Sequence, residues 1–343
     1  MHICIEKGCG NTVGRANVRC RDCYDKLIAS RKKVIVEKKL DSNIPNLIVE
    51  SLKSEIKKVK PYNAIPNAIT RSGDTCVIQL SDLHAGKVTK DPDGNILYNE
   101  EVFKHRINVL CGQILKILDK NIRQSTPITD VVILSTGDQA NGEDIYETQV
   151  YEQEMAPPRQ VMIVVDAIIG LILALLKRGL PVSFFGVKGN HGRLAKDANP
   201  SANWDLMIYL VLEFWAKTIL KNKNLTIKYA ETDHMIVNIK TKKYMIRHIA
   251  PENSDTPSGR VKFNEWARKH KLDAIVYGHW HHFGITDVDG IRVFRGGSVS
   301  GEDSLSESMA KHSEPVQLIW GVNKDRAMTF LYAVDLRLGQ TTD

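Results

Sequence analysis

Five apolar runs of strand length each end in a cluster of Asp, Asn or His. This repeat limits what the chain can become more than any other feature. TCVIQL runs into Ser81-Asp82-Leu83-His84, and DVVILST into Gly137-Asp138-Gln139-Ala140-Asn141-Gly142. PVSFFGVK runs into Gly189-Asn190-His191-Gly192-Arg193, KKYMIR into His248, and DAIVY into Gly278-His279-Trp280-His281-His282. β-Branched and aromatic residues fill these runs, as buried pleated strands require. Helical segments, 161–178 and 204–221 among them, separate several of the runs. Strands alternating with helices predict an α/β domain whose ligand site lies at the carboxyl ends of its strands.

The residue types in the clusters suit one chemistry. Asp, Asn and His supply hard oxygen and borderline nitrogen donors, and no cysteine stands among them. That mixture fits Mn²⁺, Fe or Zn²⁺ better than a soft metal or an all-oxygen Mg²⁺ or Ca²⁺ cage. Two such ions sharing a carboxylate polarise a phosphoryl oxygen and activate water for in-line attack. The order Asp-x-His, Gly-Asp, Gly-Asn-His, a lone His and Gly-His-x-His resembles the signature of the calcineurin-like metallophosphoesterases. The resemblance extends over 74–335 and includes the trailing FRGGSVSG turn at 294–301.

The resemblance implies a four-layer α-β-β-α sandwich over 73–343 and two divalent ions, with Mn²⁺ favoured over Fe or Zn²⁺. It places Asp82, His84 and His281 on one ion and Asn190, His248 and His279 on the other. Asp138 would bridge the two together with the nucleophilic water, and His191 would protonate the leaving oxygen. Adjacency supports a split role for Asn190 and His191, because neighbouring side chains do not readily face one point. His234 is the alternative to His248. If the strand continues beyond Gly278, alternation puts His279 and His281 on one side and Trp280 and His282 on the other.

Two positions depart from the family pattern. Gly192 stands where many members carry an acid, and Asn141 where many carry an Asp that orients the catalytic histidine. Both changes bear on how well a histidine donor is tuned. They also argue against the serine/threonine protein phosphatases, whose two motifs continue into Asp-Arg-Gly and Glu. Asn141, Arg193 and His282 are candidate substrate contacts.

The N-terminal part has a different character. Cys4, Cys9, Cys20 and Cys23 form a C-x4-C and a C-x2-C pair, ten residues apart. Thiolate pairs at such spacing clasp a tetrahedral structural Zn²⁺ and supply folding energy to a segment too small for a core. His2 is a weaker substitute ligand, and free thiols with a redox pair are the plainer alternative. Residues 1–27 are read as a zinc-binding unit. Residues 28–72 are read as a basic helical linker, with Ile44, Leu47, Ile48, Leu52, Ile56 and Val59 at helical spacing. The chain carries a net charge of +7, yet residues 1–71 hold 15 Lys/Arg against 7 Asp/Glu. The positive excess is therefore N-terminal, and Arg31, Lys32, Lys33, Lys38 and Lys39 are candidate nucleic-acid contacts. A solvated basic helix face is the competing explanation.

Three function classes remain. A nuclease would use the basic arm to grip the phosphate backbone. A phosphomonoesterase, or a nucleotide or cyclic-nucleotide phosphodiesterase, would leave the N-terminal region as a protein-partner or homodimer contact. The acids of loop 144–158 (Asp144, Glu147, Glu152, Glu154) favour this class if they face the site. A non-catalytic metal-binding interaction module is the third. No basic start followed by an apolar stretch opens the sequence, and the apolar run 161–176 contains Asp166 and is short for a membrane span. A reducing cytoplasmic setting without membrane contact is expected, with that run packed between sheet layers.

Overall fold

The computed structural model describes residues 2–3, 8–13, 19–27, 73–122, 127–147, 149–254, 256–301 and 313–337. The chain divides into two compact units, Met1–Pro66 and Asn67–Asp343. In the first, β1 (His2–Ile3) and β2 (Thr12–Val13) pair antiparallel, and residues 21–27 are helical. The basic stretch containing Arg31, Lys32, Lys33, Lys38 and Lys39, and the apolar stripe from Ile44 to Val59, lie outside the described residues.

The second unit begins with β3 (Asp74–Leu80), the small pair β4 (Thr89–Lys90) and β5 (Ile96–Tyr98), and α1 (Glu100–Lys116). There follow β6 (Ile128–Ser135), α2 (Pro157–Leu176), β7 (Val182–Val187), α3 (Trp204–Trp215) and β8 (Leu225–Ala230). The remainder is β9 (His234–Ile239), β10 (Lys242–Arg247), α4 (Pro257–His270), β11 (Ala274–Tyr277), β12 (Gly284–Val288), β13 (Ile291–Arg295), β14 (Val316–Val322) and β15 (Leu331–Asp335). All five expected strand runs are strands. One sheet has the order β15-β14-β3-β6-β7-β8, the other β12-β13-β11-β10-β9. β3, β6, β7 and β8 run parallel, and so do β10, β11 and β13.

Alternation along the strands explains the layering. In β3, Cys76, Ile78 and Leu80 pack toward α1, α2 and α3, while Val77 faces the second sheet. Between the sheets Val77, Val132, Leu134 and Trp320 meet Tyr244, Ile246, Val276 and Phe294. On the outer side of the second sheet, Met245, Ile275 and Val293 meet Phe263 and Ala267 of α4. Both sheets are thus buried on both faces, which is why their strands read as near-continuous apolar runs. The result is the expected four layers, α-β-β-α.

Two expectations change in detail. The apolar run belongs to a 20-residue helix, α2, which has the length and apolarity to cross a membrane. Val164, Ile168, Ile172 and Leu175 are nevertheless fully packed, and α2 covers the outer face of one sheet rather than lying between the two. The 204–221 helix ends earlier, at Trp215, and Ala216–Leu220 closes it as a π-helical turn before left-handed Lys221.

Candidate metal centre

The carboxyl ends of β3, β6, β7, β10 and β11 converge on one buried cluster. Asp82, His84 and His281 place one ligand atom each within 4.8 Å of one another, and so do Asp138, His248 and His279. His84, Asp138 and His191 form a third such group, so Asp138 and His84 link the sets. His84 Nε2 and His281 Nε2 face each other at 3.0 Å. His248 Nε2 lies 2.8 Å from Asn190 Oδ1 and 3.0 Å from Asp138 Oδ2. His248 Nδ1 is held 2.7 Å from the Thr136 carbonyl, which fixes that nitrogen as the donor and leaves Nε2 to face the oxygens. Lone pairs that converge this closely without donors between them need a cation or a proton. The donor set, oxygen and imidazole with no sulfur, fits divalent ions of the Mn²⁺, Fe or Zn²⁺ kind.

The backbone is bent to make this arrangement. Asp82, His84, Asp138, His279 and His281 all have positive φ, five of the nine such non-glycine residues among those described. Strain of this kind gathers where side chains must point at one place. It also corrects the extended reading beyond Gly278. β11 stops at Tyr277, and His279 (φ 78°) and His281 (φ 60°) are left-handed. The Asp82 carboxylate causes the bend by accepting from His279 N at 3.1 Å. His279 and His281 reach the cluster from a tight turn, and Trp280 packs beside His279 and donates to the Ala250 carbonyl.

The motif glycines are where chains touch. A Cβ on Gly189 would run into Asp138 Oδ1, and one on Gly278 would sit 2.6 Å from Asp82 Oδ2. The FRGGSVSG turn braces the same residues: Val299 N and Ser298 Oγ both donate to the Asp82 carbonyl, and Ser298 N donates to that of His281. Arg106, buried on α1, donates in turn to the carbonyls of Val299 and Ser300.

Burial and mutual charge set the electrostatics. Burial pushes Asp82 up to about 7, helped by Asp138 and opposed by His248. Burial opposes ionisation of Asp138 too, but His248, His191 and His84 outweigh it and hold that carboxyl well below its usual range. His248 shows the reverse balance: burial disfavours its charge, yet Asp138 raises it to about 9. Burial, then the neighbouring imidazoles, keeps His84 well below and His279 down at about 4.

Residues 77–283, more than half of the chain, match the sequence profile of calcineurin-like phosphoesterases. The chain belongs to this family. No curated protein matches it in sequence. Among solved structures it is similar to the vacuolar sorting protein Vps29 of Cryptosporidium parvum (16% identity, 78% of this chain and 94% of that one, TM-score 0.35). It is likewise similar to an archaeal phosphodiesterase (15%, 75% and 99%, TM-score 0.37) and to a hypothetical protein of Pyrococcus horikoshii (10%, 76% and 88%, TM-score 0.38).

One of the two departures from the family pattern acquires a physical reason. A side chain at Gly192 would meet Asn203 Oδ1, 2.8 Å from its Cβ, so glycine suits this loop. Asn141 is buried, and its Nδ2 has no hydrogen-bond partner among the described residues. Arg193 Nε donates to the Asn190 carbonyl at 3.0 Å, bracing the Gly-Asn-His turn. His282 turns away: its Nδ1 lies 2.7 Å from the Trp280 carbonyl, and it lines a cavity of about 360 Å³ with Glu252, Tyr277 and Arg295. His234 stands apart, its ring 5.7 Å from His270.

One supporting residue escaped the sequence reading. Asp205, fully buried at the start of α3, accepts from Asp138 N (2.9 Å), Gln139 N (2.9 Å), Ala140 N (3.3 Å) and Gly189 N (2.8 Å). It therefore locks the Gly-Asp and Gly-Asn-His loops together. Its signal was an acid heading an apolar stripe with Ile208, Tyr209 and Leu212. Asp205→Asn turns one acceptor into a donor facing backbone N–H groups. It should weaken Mn²⁺ binding about tenfold and lower the melting temperature by about 5 °C. Chelator competition and calorimetry measure both, and unchanged values would show that the two loops hold without it.

In the N-terminal unit, the sulfur atoms of Cys9, Cys20 and Cys23 lie within 4.8 Å of one another. The Asn11 amide and the Cys23 backbone hold the Cys20 thiol down at about 6, so it is largely thiolate at neutral pH. Cys4 lies outside the described residues.

Proposed function

We propose that this phosphoesterase hydrolyses phosphodiesters with two divalent ions, Mn²⁺ foremost, and that nucleic acid is its substrate. The observation that carries the reading is the link between the donor groups: Asp138 joins His248 and His279 in one and His84 and His191 in another, and His84 in turn belongs with Asp82 and His281. Asp82, His84 and His281 would hold one ion, Asn190, His248 and His279 the other, with Asp138 between them. Bound there, the ions would supply Lewis-acid activation of the phosphoryl group and of water. The chain's own residues do the rest. Asp138 Oδ1 accepts from His191 N at 2.8 Å, which holds the His191 ring beside His84 at the half-open side of the cluster. From there His191 would protonate the leaving oxygen.

Support for nucleic acid comes from charge. The N-terminal 71 residues carry the whole positive excess, and Arg31, Lys32, Lys33, Lys38 and Lys39 would grip the backbone phosphates. Cys4, Cys9, Cys20 and Cys23 would fold that region around a structural Zn²⁺. A small diester is the second reading, favoured by Asp144 and Glu147, which are exposed on the loop beside the cluster. The other two acids of that loop are engaged elsewhere, Glu152 with Lys87 and Glu154 with the Glu100 amide.

The test compares plasmid DNA, RNA, bis(4-nitrophenyl) phosphate and 4-nitrophenyl phosphate with Mn²⁺, using the full chain and a variant lacking residues 1–71. The truncated protein should lose about tenfold or more on nucleic acid and keep its aryl diester rate. Failure of the full chain on every nucleic acid, with aryl diester cleavage intact, would move the substrate to the small-diester class.

A further inference from the structure

The loop between Asn141 and α2 touches the cluster through a residue that none of the motifs contains. Tyr146 Oη accepts a hydrogen bond from Asn190 Nδ2 at 2.8 Å. Its ring lies 4.9 Å from that of His191, tilted by 43°, and the residue is still 40% exposed. A side chain that contacts two members of the cluster and also faces solvent stands at the mouth.

The loop that carries it is fixed. Gln149, buried, accepts from Ile145 N (2.7 Å) and Tyr146 N (3.2 Å) through Oε1. Its Nε2 donates to the carbonyls of Asn141 and His191. The amide of Gln149 therefore ties the Tyr146 turn to both motif loops.

The hydroxyl has a definite chemical consequence. An asparagine amide presents oxygen on one side and two N–H donors on the other, and only the oxygen can ligate a cation. With Nδ2 held by Tyr146, Oδ1 is the end turned to His248 Nε2. Release of Nδ2 would let the amide flip and offer donors to the ion. The exposed ring has a second consequence. Aromatic faces bind flat leaving groups through stacking, a sequence-tolerant contact in nucleic-acid sites.

We infer that Tyr146 is a positioning residue: its hydroxyl fixes Asn190 with Oδ1 toward the metal ligands, and its ring is the wall on which an aryl or nucleoside leaving group packs. The second half rests on the phosphodiesterase reading; the first does not.

The experiment uses the full chain with Tyr146→Phe and Tyr146→Leu, and reads Mn²⁺ affinity by chelator competition without substrate. Both variants should bind Mn²⁺ about tenfold more weakly than the parent. In an Asn190→Asp background, where both ligand atoms are oxygen, Tyr146→Phe should leave the affinity unchanged. Kinetics at saturating Mn²⁺ then compare bis(4-nitrophenyl) phosphate with glycerophosphocholine, an alkyl diester. Tyr146→Leu should raise KM about tenfold for the aryl diester only, and Tyr146→Phe should leave both KM values alone. Parental Mn²⁺ affinity in Tyr146→Phe, or an equal loss in the Asn190→Asp background, overturns the amide lock. Equal KM values for the aryl diester in the Phe and Leu variants overturn the ring wall. If the parent cleaves no diester, the ring wall falls together with the proposed function, and the Mn²⁺ titration alone still decides the lock.

Discussion

Asp138→Ala is expected to lower phosphodiester hydrolysis by about a thousandfold or more, about 4 kcal/mol of barrier. The size follows from how many roles meet on one buried side chain. Its Oδ2 faces His248 Nε2 at 3.0 Å, and its Oδ1 accepts from His191 N. It also lies within ligand distance of His248 and His279 on one side and of His84 on the other. Removing it strips negative charge from three neighbouring imidazoles, those of His248, His191 and His84. Both ions would lose a ligand, and His191 would lose the bond that places it. Asp138→Asn keeps the shape, and the backbone N–H bonds to Asp205 do not depend on the side chain, so the fold should survive in both variants. Steady-state rates on bis(4-nitrophenyl) phosphate, with Mn²⁺ stoichiometry measured alongside, check this. Retention of more than a tenth of the parental rate by a folded Asp138→Ala protein would rule out a shared carboxylate as the centre of the chemistry.

The candidate cluster was legible in the sequence because its residues are written at strand ends. A buried strand must be apolar, so a sudden Asp, Asn or His after Leu80, Ser135, Val187, Arg247 or Tyr277 stands out. Parallel strands bring those ends to one edge, and the alternation of strands with helices predicts that edge. The parts that stayed hidden act across the fold. Asp205 reaches back from a helix to four backbone amides on two loops. Tyr146 acquires meaning only when its loop is folded over Asn190. The left-handed turn at His279 and His281 was invisible for a related reason. Its cause is the Asp82 carboxylate, nearly two hundred residues earlier in the chain, so local alternation predicted an extended continuation instead.

Metal binding should exchange a cation for a proton at His248, so apparent Mn²⁺ affinity should rise about 50-fold between pH 7 and pH 9 and then level off. In the metal-free protein, Asp138 raises His248 to about 9, against the effect of burial. The ring is therefore protonated at pH 7. Nδ1 is committed to the Thr136 carbonyl, so the nitrogen that must give up its proton to a metal is Nε2. Each pH unit below 9 then weakens binding about tenfold through this one proton. Asp82, raised to about 7, adds a smaller increment at pH 7 and below. The sign for stability runs the other way in the metal-free protein. A folded-state value above the ordinary imidazole value means that the His248–Asp138 pair contributes fully below about 6.5. That contribution is lost as pH rises through about 9. The metal-free protein should therefore melt lower at pH 9.5 than at pH 6.5, while the gain in melting temperature on adding Mn²⁺ should be larger at the higher pH. Titration calorimetry at pH 7, in two buffers of different ionisation enthalpy, should show about one proton released per Mn²⁺ at this position. His248→Ala should flatten the pH dependence. An affinity that is level from pH 7 to pH 9 in the parent would mean that the proton facing Asp138 and Asn190 is not what the metal displaces.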